Sequence, residues 1–144
     1  MIIYFGIGTN LGDREANLHT ALRLLDERVG EQLACSSIYR SAPQGFVSEH
    51  EFANVVAVYS TNYSLEDLLL ITQEIEREMG RTQKSVDGVH YDRIIDIDLL
   101  QATHRSSPIT HYSPNLTVPH PRINERDFVM IPLREVNLLL QHSF

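Results

Sequence analysis

Aliphatic and polar positions alternate through "DRIIDIDLL", Asp92 to Leu100, with the period of two that marks a β-strand. On that period Arg93, Ile95, Ile97 and Leu99 share one side, and Ile94, Asp96, Asp98 and Leu100 the other. The same reading finds a first strand in "IIYFGIG", then a loop, "GTNLGD", that leads to a helix with Asp13 as its N-cap. Leu18, Ala21, Leu22, Leu25 and Val29 form the apolar stripe of that helix, and Gly30 closes it. "EQLACSSIYRS" and "EFANVVAVYST" are rich in β-branched and aromatic residues and read as two strands, separated by the Pro/Gly loop "APQGFVSEH". Ser64 with Asp67 makes a capping-box pattern for a second helix, whose Leu65, Leu68, Leu69, Thr72, Ile75 and Met79 run along one side as far as Gly80.

The order β-α-β-β-α-β predicts an α+β fold of the ferredoxin-like, split βαβ type: an antiparallel sheet with both helices on one face, plus a C-terminal extension. From Pro119 onward the pattern predicts an irregular addition with one or two short helices. At 144 residues, positions 1–144 fit one domain with a core of its own. No apolar run has the length of a membrane span, and the start, "MIIYFGIGTNLGDRE", lacks the pattern of a secretory signal. The expectation is therefore a cytoplasmic protein with no membrane partner. Cys35 is the single cysteine, which excludes an internal disulfide and suits a small buried side chain. A formal net charge of −7 argues against a nucleic-acid binder. An anionic small ligand would need a local basic cluster, and Arg81, Lys84, Arg93, Arg122 and Arg126 supply one in the second half of the chain.

Asp96 and Asp98 leave the strand on one face roughly 6.5–7 Å apart, twice the rise per residue. Two carboxylates among Ile and Leu repel each other and resist desolvation, a cost that bound magnesium would offset. A bare D-x-D more often marks a solvent face, although two aspartates between Ile and Leu make a poor one, so partners must decide. Phe52 and Asn54 leave their strand on one side, an aromatic ring beside an amide, which suits a flat heterocycle. Phe128 offers a second ring. Each of the three also fits plain packing. Gln73 and Glu76 lie on neighbouring helical positions, with Arg81 just beyond the helix. In "LTVPHPRINER", Pro119 and Pro121 hold His120 extended beside Arg122 and Arg126, a donor set suited to phosphate or to an incidental surface turn.

Taken in order, "GIGTNLGDR", "YRSAPQG", "FAN", "GR" at Gly80 and Arg81, "DRIIDIDLL" and "TVPHPRINERDFVMIPL" resemble the signatures of the 6-hydroxymethyl-7,8-dihydropterin pyrophosphokinase family over nearly the whole chain. The resemblance implies an enzyme that moves the β,γ-diphosphate of ATP onto the hydroxymethyl group of 6-hydroxymethyl-7,8-dihydropterin in folate biosynthesis, releasing AMP. It implies that Asp96 and Asp98 hold two magnesium ions. Phe52 and Phe128 would sandwich the pterin, Asn54 would read its edge, and Ser41, Ala42, Pro43 and Gln44 would shape its pocket. Gln73, Glu76, Arg81, Lys84, Arg93, Thr117, His120 and Arg126 match positions on the nucleotide side, with Leu99 near the adenine. Arg81, Arg93 and His120 would share charge stabilisation with the metals. The partners implied are these small molecules alone, and a monomer is expected.

Many members carry an Arg-Trp-Gly-Pro-Arg run before the aspartates, where this chain has "KSVDGVHYDR" and keeps only the last arginine, Arg93. Gln83 stands where another basic residue is common, and the chain ends soon after "IPLREV". The segment Lys84 to Tyr91, with Asp87 and Gly88 as a turn pair, is a candidate lid that Gly88→Pro would stiffen. Two other functional classes use the same fold or motif: a ligand-sensing module with a superficial D-x-D, and a nucleotidyl transferase with another acceptor.

Overall fold

The computed structural model describes residues 1–41, 51–80 and 94–142. Strand β1 (Ile2–Thr9) runs into helix α1 (Arg14–Arg28), then β2 (Gly30–Cys35), β3 (Tyr39–Ser41), β4 (Phe52–Thr61), α2 (Leu65–Glu78) and β5 (Asp96–His104). Short strands β6 (Ser107–Ile109), β7 (His111–Ser113) and β8 (Leu116–Val118) follow, and the chain closes with a 3-10 turn at Ile123–Glu125 and helix α3 (Asp127–His142). The main sheet has the order β2-β4-β1-β5-β6, with β3 beside β4 and antiparallel pairing throughout. Among the described residues no helix is long and apolar enough to cross a membrane.

Both predicted caps form. The Asp13 carboxylate accepts from the Ala16 N–H at 3.1 Å, and the Ser64 hydroxyl accepts from the Asp67 N–H at 3.2 Å. Leu18, Ala21 and Leu25 of α1, with Leu65, Leu68 and Ile75 of α2, pack on Ile3, Phe5, Ile7, Ala57, Tyr59 and Ile97 to make the larger core. Gly30 directly follows Val29, the C-cap of α1, and opens β2. Its φ is +157°, and a Cβ there would lie 1.9 Å from the Ser60 carbonyl oxygen, a contact that only glycine avoids.

Two expectations need correction. "EQLACSSIYRS" is two strands and not one, because Ser36 turns its hydroxyl to the Val56 N–H at 2.9 Å and the Glu135 carboxylate takes the Ser37 N–H and hydroxyl. The C-terminal part is no irregular addition: α3 spans 16 residues and includes Pro132. Val129, Leu133 and Val136 of α3 cover Tyr4, Val56, Val58 and Leu100 on the sheet face opposite α1 and α2, so helices lie on both faces. In addition, β6 forms a hairpin with β5 and β7 with β8, and no periodicity announced the three-residue strands β6, β7 and β8.

Candidate functional site

α3 packs on Tyr4, Val56, Val58 and Leu100, and the polar residues lie further along the same sheet face. The register across β4, β1 and β5 sets Asn54 opposite Gly8 and Gly8 opposite Asp96, while Gly6 lies opposite Asp98. Directly opposed residues share a face, so Asn54, Asp96 and Asp98 all look out on the α3 side, across a strand that offers two glycines. Asn54 and Asp96 are two strands apart, roughly 9–10 Å. Ile95, Ile97 and Leu99 point into the core on the other face, which bears out the predicted alternation. Asp96 and Asp98 are half-buried.

Gly8 is the feature that sequence reasoning passed over. A Cβ there would meet the Asn54 side-chain oxygen at 3.0 Å and the Phe52 ring at 3.6 Å, so the missing side chain makes the seat for both. The Asn54 amide is 5 % exposed and its nitrogen is committed: Nδ2 donates to the Tyr39 carbonyl at 3.1 Å and to the Ser41 hydroxyl at 2.9 Å. Oδ1 is therefore the atom it turns toward Gly8. Toward a ligand this amide is thus an acceptor, matched to a ligand N–H. Phe128 stands at the start of α3, with the Arg126 guanidinium 5.5 Å from its ring centroid.

On the other side of the aspartates lies a cavity of ≈ 320 Å³, lined by Leu69 and Gln73 of α2, Ile97 to Leu99 of β5, Pro114 to Thr117 around the β7-β8 turn, and His120 with Pro121. Five of the predicted residues converge here: Gln73, Asp98, Leu99, Thr117 and His120. The walls Leu69, Pro114, Leu116 and Pro121 were not anticipated; "SPNL" carried a turn signal, and Leu69 looked like core. The cavity lies where β6 has not yet joined β5: β6 pairs with β5 only from Ala102 onward, and among the described residues no strand covers the first half of β5 on that side. Side chains and loops satisfy that edge instead. The Leu100 carbonyl accepts from the His120 N–H at 2.7 Å, and the Glu76 carboxylate accepts from the Ile97 N–H at 2.9 Å. Glu76 is 2 % exposed. Removing an acceptor from a buried amide costs about 1–3 kcal/mol, so this bond weighs in the fold as well as at the site.

His120 follows a cis peptide at Val118-Pro119. Burial pushes its imidazole below the ordinary value, Arg126 adds to the push, Asp96 opposes it, and Arg122 adds again. The Arg122 N–H donates to Nδ1 at 3.2 Å, which leaves the proton of the neutral ring on Nε2, available as a donor. Because the folded value lies below the unfolded one near 6.5, the unfolded chain takes the proton first as pH falls. Stability from this group is whole above that value and is lost as pH drops through the folded value. Urea midpoints between about pH 7.5 and pH 5 should fall less steeply for His120→Gln than for the wild type. Identical slopes would assign the acid sensitivity elsewhere.

Ala42, Pro43, Gln44, Arg81, Lys84, Arg93 and the whole candidate lid, Gly88 included, lie outside the described residues.

The sequence matches the family described as 7,8-dihydro-6-hydroxymethylpterin-pyrophosphokinase over residues 4–138. The chain belongs to that family. It is 48% identical over 135 residues to a protein of Porphyromonas gingivalis named 2-amino-4-hydroxy-6-hydroxymethyldihydropteridine pyrophosphokinase, covering 94% of this chain and 90% of that one. A Bacillus subtilis protein of the same name is 36% identical, with 94% and 77% covered. The fold is that of a solved structure titled as the HPPK-DHPS in complex with substrates, with a TM-score of 0.66 at 15% identity over 94% of this chain and 40% of that one. As a member, the chain is a pyrophosphokinase, a transferase of folate biosynthesis that uses ATP.

Proposed function

We propose that the diphosphate passes from ATP in the cavity beside Asp98 to 6-hydroxymethyl-7,8-dihydropterin held over Gly8, with magnesium at Asp96 and Asp98. One observation carries this reading: the cavity lined by Gln73, Leu99, Thr117 and His120 ends at Asp98, and one strand over, Asn54 and Phe52 flank the bare backbone of Gly8 on the same face as Asp96. Acceptor and donor sites thus meet at the two carboxylates.

The donor set fits magnesium. Hard oxygen ligands on one strand face are what that ion takes, and among the described residues no group of three or more His, Cys, Asp or Glu could hold a metal without help. Triphosphate oxygens would complete the shell, so uptake of the two ions is expected to depend on nucleotide. When bound, magnesium would neutralise charge on the nonbridging oxygens. The protein's own part is positioning. His120 can donate from Nε2 to a phosphate oxygen while neutral, Arg126 adds a cation nearby, and the family resemblance assigns Arg81, Lys84 and Arg93 to the same task. Gln73 and Thr117 can hydrogen-bond the nucleoside, with Leu99 against the adenine. Phe52 and Phe128 would stack the pterin, and the Asn54 oxygen would accept from it.

The β2-β4-β1-β5 order supports the ferredoxin-like reading of the sheet. The net charge of −7 supports small-molecule partners over nucleic acid, and we take the enzyme to act as a cytoplasmic monomer without a membrane partner. The test is incubation with ATP, magnesium and 6-hydroxymethyl-7,8-dihydropterin. AMP and pterin diphosphate are the expected products. ADP, or turnover indifferent to chelator, would overturn the proposed chemistry.

A further inference from the structure

The peptide that joins Asp96 to Ile97 lies between the two carboxylates, and its N–H points away from β1 toward the side of β5 that β6 leaves uncovered. Glu76 answers it from α2. Its reach is fixed from below, because Thr72 and Ile75, 1 % and 0 % exposed, lock that face of the helix into the core, and Ile97 itself is 2 % exposed. A strand edge held at one amide by a rigid helix has one pitch. Tilting that peptide would swing the Asp96 side chain directly and the Asp98 side chain through Ile97.

We infer that Glu76 is a positioning residue, which sets the angle of Asp96 and Asp98 by holding the peptide between them, and does so as a hydrogen-bond acceptor rather than by touching nucleotide. This rests on the reading of the aspartates as magnesium ligands. The acceptor oxygen and its reach are what matter, and the negative charge is incidental to the pitch. That separates two conservative replacements. Glu76→Gln keeps an oxygen at the same reach without the charge, whereas Glu76→Asp keeps the charge and withdraws the oxygen by about 1.5 Å, one carbon–carbon bond.

Magnesium titrations of AMP release are expected to rank the two in an order opposite to charge. The half-saturating magnesium concentration should stay within about threefold of wild type for Glu76→Gln and rise roughly tenfold or more for Glu76→Asp, the usual size of losing a group that orients a metal ligand. Nucleotide affinity measured without magnesium should not move in either variant. The Ile97 amide should remain protected from hydrogen exchange in Glu76→Gln. Equal curves for the two variants, the reverse ranking, or loss of metal-free nucleotide affinity in Glu76→Gln would overturn the inference. If Glu76→Asp does not fold, Glu76→Gln decides: an unshifted curve with Ile97 protected supports the role, and any other result removes it. Asp98→Asn is the control for the underlying reading. An unchanged magnesium curve there would sink the ligand assignment itself, while a lost curve there with unranked Glu76 variants would sink only the positioning role.

Discussion

Asp96→Asn and Asp98→Asn are each expected to reduce diphosphoryl transfer by several orders of magnitude while leaving the fold intact. The carboxylates share a strand face, roughly 6.5–7 Å apart by the strand rise, and both are half-buried. Asparagine matches aspartate in size and keeps hydrogen-bonding atoms at the same reach, so the fold should tolerate either replacement. With nucleotide and magnesium in place the same replacement removes a ligand and half of the charge that holds the ions. A merely structural pair would show loss of stability together with loss of activity. Thermal melting of the free proteins, set beside AMP release at saturating ATP, separates the cases. Near-wild-type turnover in either folded variant would remove the aspartates from the mechanism.

Legibility followed the strength of local signals. Asp13 and Ser64 stood directly before apolar stripes, and both cap as expected. The alternation in "DRIIDIDLL" told which side of β5 each residue would take, since burying Ile95, Ile97 and Leu99 leaves the aspartates no other face. What was hidden depends on contacts far along the chain. The break at Ser36 to Ile38 comes from Glu135 on α3, nearly a hundred positions away. The stripe of α3 was present, but Pro132 and the dense Pro/Arg run before it masked a helix that packing against Tyr4 and Leu100 sustains. At the site, a glycine says nothing about what occupies the space it leaves. Gly8 gained its meaning only when register set it between Asn54 and Asp96. Nor does the position of Glu76 beside Gln73 on a helix announce a buried carboxylate: the reason for it is the Ile97 N–H on the edge of β5, twenty-one positions away.

Phe52→Ala is expected to weaken pterin binding by about 1–3 kcal/mol, the scale of one lost stacking surface, with little effect on nucleotide. Phe52 opens β4 opposite Ser41 of β3, whose hydroxyl accepts from Asn54, and is half-buried, with its ring 3.6 Å from the position a Gly8 side chain would occupy. That places it over the β1 backbone, whereas the cavity lined by Gln73, Thr117 and His120 lies beyond β5. A truncation on the β4 side should therefore be felt by one ligand only. Phe128 supplies the comparison: its ring packs partly into the smaller core and also faces the Arg126 guanidinium, so Phe128→Ala should lower stability as well as pterin affinity. Separate calorimetric titrations of each variant with the pterin and with a nonhydrolysable ATP analogue test the assignment. Equal losses for both ligands in Phe52→Ala would mean that Phe52 serves the packing of β4 and that the stacking surface over Gly8 is made by other residues.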